Sequence, residues 1–399
     1  MQTKEPNPML TKLRRFSVIM EHLTSGKMYT ILILACCIMR IRSCNLNKCK
    51  VEHNAVSREK LKLSGAYSLF KRIFQTGNGD KIHKSIFLVV LPLIYPYIGN
   101  LLIVDRTEFT IGDQWVNLLV YGIECKGVLI PLVWKDLGKR KSSSQAERLE
   151  LLDKLLSRWR YTKLPMPTLT LLGDREFIGQ TWLKALERRK INFVIRLKGN
   201  LRFKVWYKGQ LKDRKIRLRT LERYMFKKGL NSMEIVIHDE LIFNFVIVPN
   251  KDYDASKPRN KKGNDEYVYL VTDLEDLSNI KELYRKRWKI ECCFKHLKSN
   301  GFNLEDTSLQ HPHKIDILFS ILTLVYTLAI IEGILNDYEQ EVDEKTYANG
   351  KVYKEKSLFV FGFEILKPKV DNFKLFIKYF KDRIIKCLKH FKYFDYSYT

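Results

Sequence analysis

Two apolar runs in this chain end on an aspartate, and together they constrain its fold more than any other feature. Leu101-Leu102-Ile103-Val104 leads into Asp105, and Thr168-Leu169-Thr170-Leu171-Leu172-Gly173 leads into Asp174. Short uninterrupted apolar runs of this kind read as buried strands. An acid at the C-terminal end of such a strand stands at the sheet edge where α/β proteins bind ligands. Either aspartate alone reads equally well as a turn former or a helix cap. Trp115 to Glu124 and Gly127 to Trp134 are two more strand-like runs, parted by Cys125-Lys126, so three sequential strands from Asn100 predict a meander. Leu149, Leu152, Leu155 and Leu156 share one face of a helix predicted over Gln145–Trp159. The helix Gln180–Lys190 and the strand Phe193–Leu197 follow Asp174. Alternating runs at Met233–His238 and Leu241–Val248 make residues 200 to about 265 a β-rich insertion, and Tyr267–Thr272 is a further strand. The sum is an α/β chain with a mixed sheet flanked by helices.

The flanks read as helical. Residues 1 to about 95 carry helix-like runs around Met9–Leu23, Met28–Ile41 and Ser64–Phe74, with basic residues in excess. Gln75-Thr76-Gly77-Asn78-Gly79-Asp80 is a turn signal. Such a region either holds DNA or packs as a cap. Near the other end, Ile317 to Ile331 is uncharged but falls short of the roughly 20 residues a membrane helix needs. It also contains Ser320, Thr323 and Thr327, so a buried core helix is expected and no membrane span. Ile31 to Cys37 is shorter still and is followed by Arg40 and Arg42. A charged loop, Glu339–Lys356, and a basic aromatic helix from Asn372 to about Phe394 complete the pattern.

The charge then narrows the partner. A formal net charge of +27 sits on a chain of 399 residues that is 45% hydrophobic and 12% aromatic. That composition supports a folded core, and the excess of cations suits a polyanion, nucleic acid being the usual one. An ordinary basic enzyme would give the same balance. The adjacent pairs Cys36-Cys37 and Cys292-Cys293 are awkward to bridge and read as buried thiols of a reducing, cytoplasmic compartment. Neither the cysteines at 36, 37, 44 and 49 nor His311-Pro312-His313 follow a zinc-ligand spacing. A P-loop and a dinucleotide fingerprint are both missing.

A long amphipathic helix is predicted over Asn279–Ser299. Tyr284, Trp288, Glu291, Lys295 and Lys298 line one face, with Arg287 beside them one turn before Glu291. Leu283, Ile290, Phe294 and Leu297 form the opposite, apolar stripe. A solvated face of ion pairs would explain the charges, but not why two aromatics share it. Phosphodiester chemistry explains it better. Two divalent ions about 3.5–4 Å apart can activate a nucleophile, stabilise a leaving oxygen and neutralise phosphate charge. Mg²⁺ or Mn²⁺ would take carboxylate oxygens, for which Asp105, Asp174 and Glu291 are the candidates. Neighbouring cations would hold phosphates, and aromatics would stack on an unpaired base. Arg196 and Lys198, at the end of a core strand, are further phosphate candidates; the basic loops Lys139-Arg140-Lys141 and Lys261-Lys262 are weaker ones.

These residues resemble the DDE transposases of the insertion sequence 4 family. Ile103-Val104-Asp105-Arg106-Thr107-Glu108-Phe109 is similar to the strand bearing the family's first aspartate, and Gly173-Asp174-Arg175-Glu176-Phe177-Ile178-Gly179 to its second motif. Tyr284, Arg287, Glu291 and Lys298 match the family's YREK signature at every spacing. The likeness runs from about residue 100 to about 335, with Gly65 to Gln75 the best of a looser N-terminal match.

The resemblance implies an RNase H-like catalytic core at 96–335 with the β-rich insertion inside it. Residues 1–95 are expected as a basic helical DNA-binding region, and residues 336–399 as a basic helical region available for dimerisation. The resemblance also implies Asp105, Asp174 and Glu291 as metal ligands. It places Tyr284, Arg287 and Lys298 on phosphates, and Trp288, or secondarily Trp206, against a flipped base. The partners would be terminal inverted repeats and target DNA, met by a DNA-assembled dimer beside a bacterial nucleoid. A nuclease or resolvase on the same core, and a DNA-binding relic, remain as rival readings.

Overall fold

The computed structural model describes residues 26–394, apart from 58, 76, 208–209, 238–240, 251–252, 257–264, 347–349 and 351. The helix expected around Met9–Leu23 and the Lys261-Lys262 pair lie outside the described residues. Four helices come first: α1 (Gly26–Ile41), α2 (Leu46–Val56), α3 (Leu63–Ile73) and α4 (Gly79–Ile94). The expected turn separates α3 from α4. The α1 helix is apolar on all sides, which demands burial on all sides, and Ile31 through Met39 are each at most 2% exposed. These helices share one continuous hydrophobic core with the rest of the chain. Helices α1 and α4 both pack into that core.

Next comes the meander, β1 (Ile98–Ile111), β2 (Gln114–Cys125) and β3 (Val128–Asp136), antiparallel throughout. Helix α5 (Gln145–Thr162) follows, its start fixed by a capping box between Ser144 and Glu147. It carries the chain over to β4 (Thr170–Gly173), which lies parallel to β1. A second crossover helix, α6 (Gln180–Arg188), leads to β5 (Asn192–Arg196), parallel to β4. Parallel neighbours need such helical crossovers. The order β3-β2-β1-β4-β5 is the mixed sheet expected of an RNase H-like core.

The β-rich insertion is present but is no separate module. It comprises β6 (Arg202–Tyr207), β7 (Gln210–Arg217), α7 (Leu218–Lys227), β8 (Ser232–Ile237) and β9 (Leu241–Pro249). The returning strand β10 (Tyr267–Thr272) pairs with β5 on one side and β9 on the other, so one ten-stranded sheet continues as β5-β10-β9-β8-β6-β7. Pairing in this way removes the open edge that β5 would otherwise expose.

The helix expected over Asn279–Ser299 is α8 (Ile280–Arg285), one turn of 3-10 helix at Lys286–Trp288, and α9 (Lys289–Lys298). The tightened turn carries Arg287, whose side chain is tied down at both ends, as described below. Helix α10 (Pro312–Leu335) is apolar enough to cross a membrane, yet 94% of its most apolar window is buried inside the protein. It is the core helix the sequence predicts. The expected charged loop instead holds a short helix, α11 (Tyr338–Glu341), and a small hairpin of β11 (Glu344–Thr346) and β12 (Val352–Lys354). Charged side chains mask such short elements because no apolar face marks them. Helices α12 (Leu358–Val370) and α13 (Phe373–Phe394) complete the described chain.

Contact between α10 and α12 depends on glycine. A Cβ at Gly362 would meet the Ala329 carbonyl oxygen at 1.9 Å, so only glycine permits this approach. Glu332 of α10, fully buried, accepts from Arg383 of α13 at 2.7 Å and from Lys369 of α12. All eight cysteines are free thiols. Cys36, Cys37 and Cys293 are buried as expected, whereas Cys292 is exposed because it faces away from the apolar stripe of α9.

Candidate active site

Strand register brings the two aspartates together. Val104 of β1 pairs with Gly173 of β4, so the next residue on each strand is an aspartate. Asp174 directly follows β4, in a turn closed by the Phe177 N–H donating to the Asp174 carbonyl at 2.9 Å. Asp105 does not end its strand, contrary to the sequence reading. It marks where β1 loses β4 as a partner and runs on paired with β2 alone, Asp105 lying opposite Val120. The apolar run stops there because the sheet stops being covered, not because the strand ends.

Helix α9 brings the third acid. Ile290, Cys293, Phe294 and Leu297 are buried and seat it against the sheet, while Lys289 pairs with Glu124 of β2 at 3.0 Å. At the far end, Lys298 donates to the Glu108 carbonyl at 2.6 Å and lies over the Phe109 ring. This pinned helix presents Glu291 and, one turn earlier, Arg287. The Arg287 guanidinium donates to Asp105 Oδ2 at 2.8 Å and to Glu291 Oε1 at 2.6 Å. One arginine thus bridges two of the three acids. Asp105 also accepts from the Arg106 N–H at 2.8 Å.

The third acid is less satisfied. Asp174 Oδ1 is buried with no hydrogen-bond partner, and so is Tyr284 Oη. The nearest cation to that carboxylate oxygen, Arg175 Nε, is 3.9 Å away, too far to donate. Burial pushes the Asp105 carboxyl up to about 6. Arg287 and the Arg106 N–H oppose that rise, while Asp174 and Glu291 add to it. Burial likewise raises Tyr284. Arg287 is held above its usual range: burial works against its charge, but Tyr284, Asp105, Asp174 and Glu291 together outweigh it. These mutual influences define one electrostatic unit of five residues.

Of the other predicted residues, Trp288 is 60% exposed and Lys295 is exposed, both free to meet a ligand. Lys298 is already engaged on β1. Arg196 lies 3.5 Å from Asp265 and near enough to influence Tyr284, so it borders the site. Lys198 is exposed beyond β5. Trp206 falls in β6, its side chain outside the described residues. In the basic loop, Lys139 is bound to Glu147 at 2.7 Å and Arg140 lies over the Trp115 ring.

Sequence reasoning missed a supporting pair. Arg106 donates to both carboxylate oxygens of Glu176 at 2.8 Å, binding the strand of Asp105 to the turn of Asp174. The signal was present: an arginine follows each aspartate, and a glutamate follows the second. Asp265 was missed too. It gathers Arg175, Arg196 and Arg219 within 3.7 Å, from three separate elements.

A hard divalent cation prefers carboxylate oxygens, and three carboxylates, one with a buried unpartnered oxygen, suit it. Among the described residues no three acidic, histidine or cysteine side chains converge tightly enough to hold an ion. The reason is visible: a cation, the Arg287 guanidinium, already stands between Asp105 and Glu291.

No protein of curated function matched the chain. Residues 100–328, more than half the chain, match the family model for the transposase DDE domain. That span holds all but the first two residues of β1, the rest of the sheet through β10, all three acids and most of α10. With this match and the mixed sheet in place, the chain belongs to the transposase DDE domain family.

Proposed function

We propose that this chain is a cut-and-paste transposase of an insertion sequence, of the insertion sequence 4 type with its YREK signature. It nicks DNA at terminal inverted repeats and joins the freed ends to target DNA. The observation that carries the reading is the convergence of Asp105 and Glu291 on one arginine, with Asp174 at the end of the neighbouring strand. In this reading Asp105, Asp174 and Glu291 hold two Mg²⁺ or Mn²⁺ ions. When bound, these supply an activated nucleophile and a charge-stabilised leaving oxygen for in-line displacement at phosphorus.

The protein's own residues prepare that chemistry. Arg287 bridges Asp105 and Glu291 until a phosphate offers its guanidinium another anion. A guanidinium exchanges carboxylate for phosphate readily, since both match its fork of donors. Tyr284 Oη, buried and without a partner, is a ready donor to a phosphate oxygen. The Arg106–Glu176 pair keeps the two aspartates in register. Trp288, exposed on the same helix, offers a stacking face for an unpaired base. Lys295, Arg196 and Lys198 add positive charge around the entry. The enzyme works in the bacterial cytoplasm, beside the nucleoid, as a dimer assembled on two DNA ends.

The test is metal-dependent cleavage of a duplex carrying the gene's own flanking inverted repeats, comparing wild type with Asp105→Ala. Cutting at the repeat ends should fall by about 10³-fold or more, since the ions supply several kcal/mol of transition-state stabilisation. A folded wild type that binds the repeats and never cuts them would leave only a DNA-binding relic.

A further inference from the structure

A second concave site lies apart from the carboxylates. A cavity of about 610 Å³ opens between the end of α3 and the start of α10. Lys71 and Arg72 stand on the α3 wall, and His311, His313 and Lys314 on the α10 wall, with Phe74 at the base of the α3 side. No acidic side chain lines it among the described residues. Lys71, Arg72 and Lys314 make no ion pair with any described residue. The nearest acids are spoken for: Asp80 binds Lys154 and Arg158, and Asp316 accepts from Trp134 Nε1 at 2.5 Å. The positive end of the 24-residue helix α10 points the same way.

Cations left unpaired in a concavity repel one another, and no described acidic residue offsets the cost. A polyanion would. Position indicates which one. From Asp105 the strand β1 runs on to Ile111, and a Cβ at the following Gly112 would meet Gln310 Nε2 at 2.5 Å. His311 is the next residue, so the groove begins beside the tip of the β1–β2 hairpin. Seven residues of strand span about 23 Å. That is about seven base pairs of duplex at 3.4 Å per phosphate along each strand.

We infer that this groove grips the phosphate backbone of duplex DNA about seven base pairs from the point of strand cutting. Cations on both walls straddle one strand. The grip reads no sequence, because phosphate contacts position a duplex without specifying it. The inference rests on DNA being the substrate, as proposed above, and its test keeps the two apart.

The experiment uses the full chain and a 30-base-pair duplex ending in the inverted repeat, with binding followed by fluorescence anisotropy over a series of KCl concentrations. The triple variant Lys71→Ala, Arg72→Ala, Lys314→Ala should bind about tenfold or more weakly, and its plot of log affinity against log salt should be shallower by about 2 to 3. A control variant removes the same three charges at exposed Lys227, Lys228 and Lys367. It should keep the wild-type slope to within about one unit. Hydroxyl-radical footprints should lose protection only about seven base pairs from the cut. An unchanged slope in the triple variant, or an equal loss in the control, would overturn the groove while leaving the transposase reading intact. A wild type that binds no duplex at all would overturn both, through that reading.

Discussion

Two charge clusters in this molecule are built on one plan with the signs exchanged. In one, the cation Arg287 lies between the acids Asp105 and Glu291. In the other, the acid Glu332 lies between the cations Lys369 and Arg383. Their solvation separates them. The Glu332 carboxylate is sealed at 0% exposure, while its partners, Lys369 of α12 and Arg383 of α13, are 32% and 21% exposed. In the first cluster Arg287 is 15% exposed, Asp105 20% and Glu291 34%. A sealed carboxylate serves to hold helices together, since no outside cation reaches it. The half-open cluster can exchange its internal cation for a ligand. The same three-ion motif therefore serves as a clasp in one place and as a plug in the other.

This contrast can be broken by mutation. Glu332→Ala leaves two half-exposed cations without their shared anion and breaks the tie between α10 and the C-terminal helices, at a cost of about 2–3 kcal/mol. Chemical denaturation should read that loss; a change below about 1 kcal/mol would make Glu332 no clasp.

A pH profile sharpens the contrast at the far end of α9. His296 packs on the Phe359 ring at 4.8 Å, and its ring lies near Tyr326 of α10. Burial, helped by Lys295, pulls its imidazole down to about 4. A histidine depressed on folding contributes stability that is present above its unfolded value, near 6.5, and lost as pH falls toward 4. Wild type should therefore lose of order 2 kcal/mol relative to His296→Gln across that window, read from unfolding curves at pH 4 and 7. A constant difference would show that folding leaves the proton affinity of His296 unchanged.

The smallest stability effect is expected at the plug. Arg287→Gln should change unfolding by less than about 1.5 kcal/mol, because the carboxylates it leaves can still reach water. It should also let DNA-free protein bind Mn²⁺ about tenfold more tightly, a gain of about 1.4 kcal/mol from lost competition. Titration calorimetry would decide. Equal or weaker Mn²⁺ binding would mean that Arg287 does not stand in the way of the ion.

Much of this was legible in the sequence because local pattern carried it. Apolar runs ending in Asp105 and Asp174 placed two strands, and their register did the rest. The spacing of Tyr284, Arg287 and Glu291 put them on neighbouring turns whatever the tertiary fold. The uncharged stretch of α10, punctuated by hydroxyl side chains, read correctly as a core helix. What stayed hidden depends on contacts between distant segments. No period announces that Arg287 reaches back to Asp105, that Arg106 holds Glu176, or that Asp265 collects three arginines. The insertion was legible as β-rich from its alternating runs, but β10 alone decides that its strands extend the core sheet. The N-terminal helices were open to two readings, holding DNA or packing as a cap, because charge dominates their composition. Burial of α1 follows from its apolar residues, which charge counting averages away.

The central claim is that three acids, far apart in the chain, form one catalytic unit. The most direct measurement compares cutting of the inverted-repeat duplex by Asp105→Ala, Asp174→Ala, Glu291→Ala and the triple variant, with repeat binding measured alongside. Residues acting as a unit are strongly non-additive. The account predicts that each single variant loses about 10³-fold or more, that the triple loses little beyond that, and that binding persists. Glu291→Ala cutting within about tenfold of wild type while still binding the repeats would contradict it.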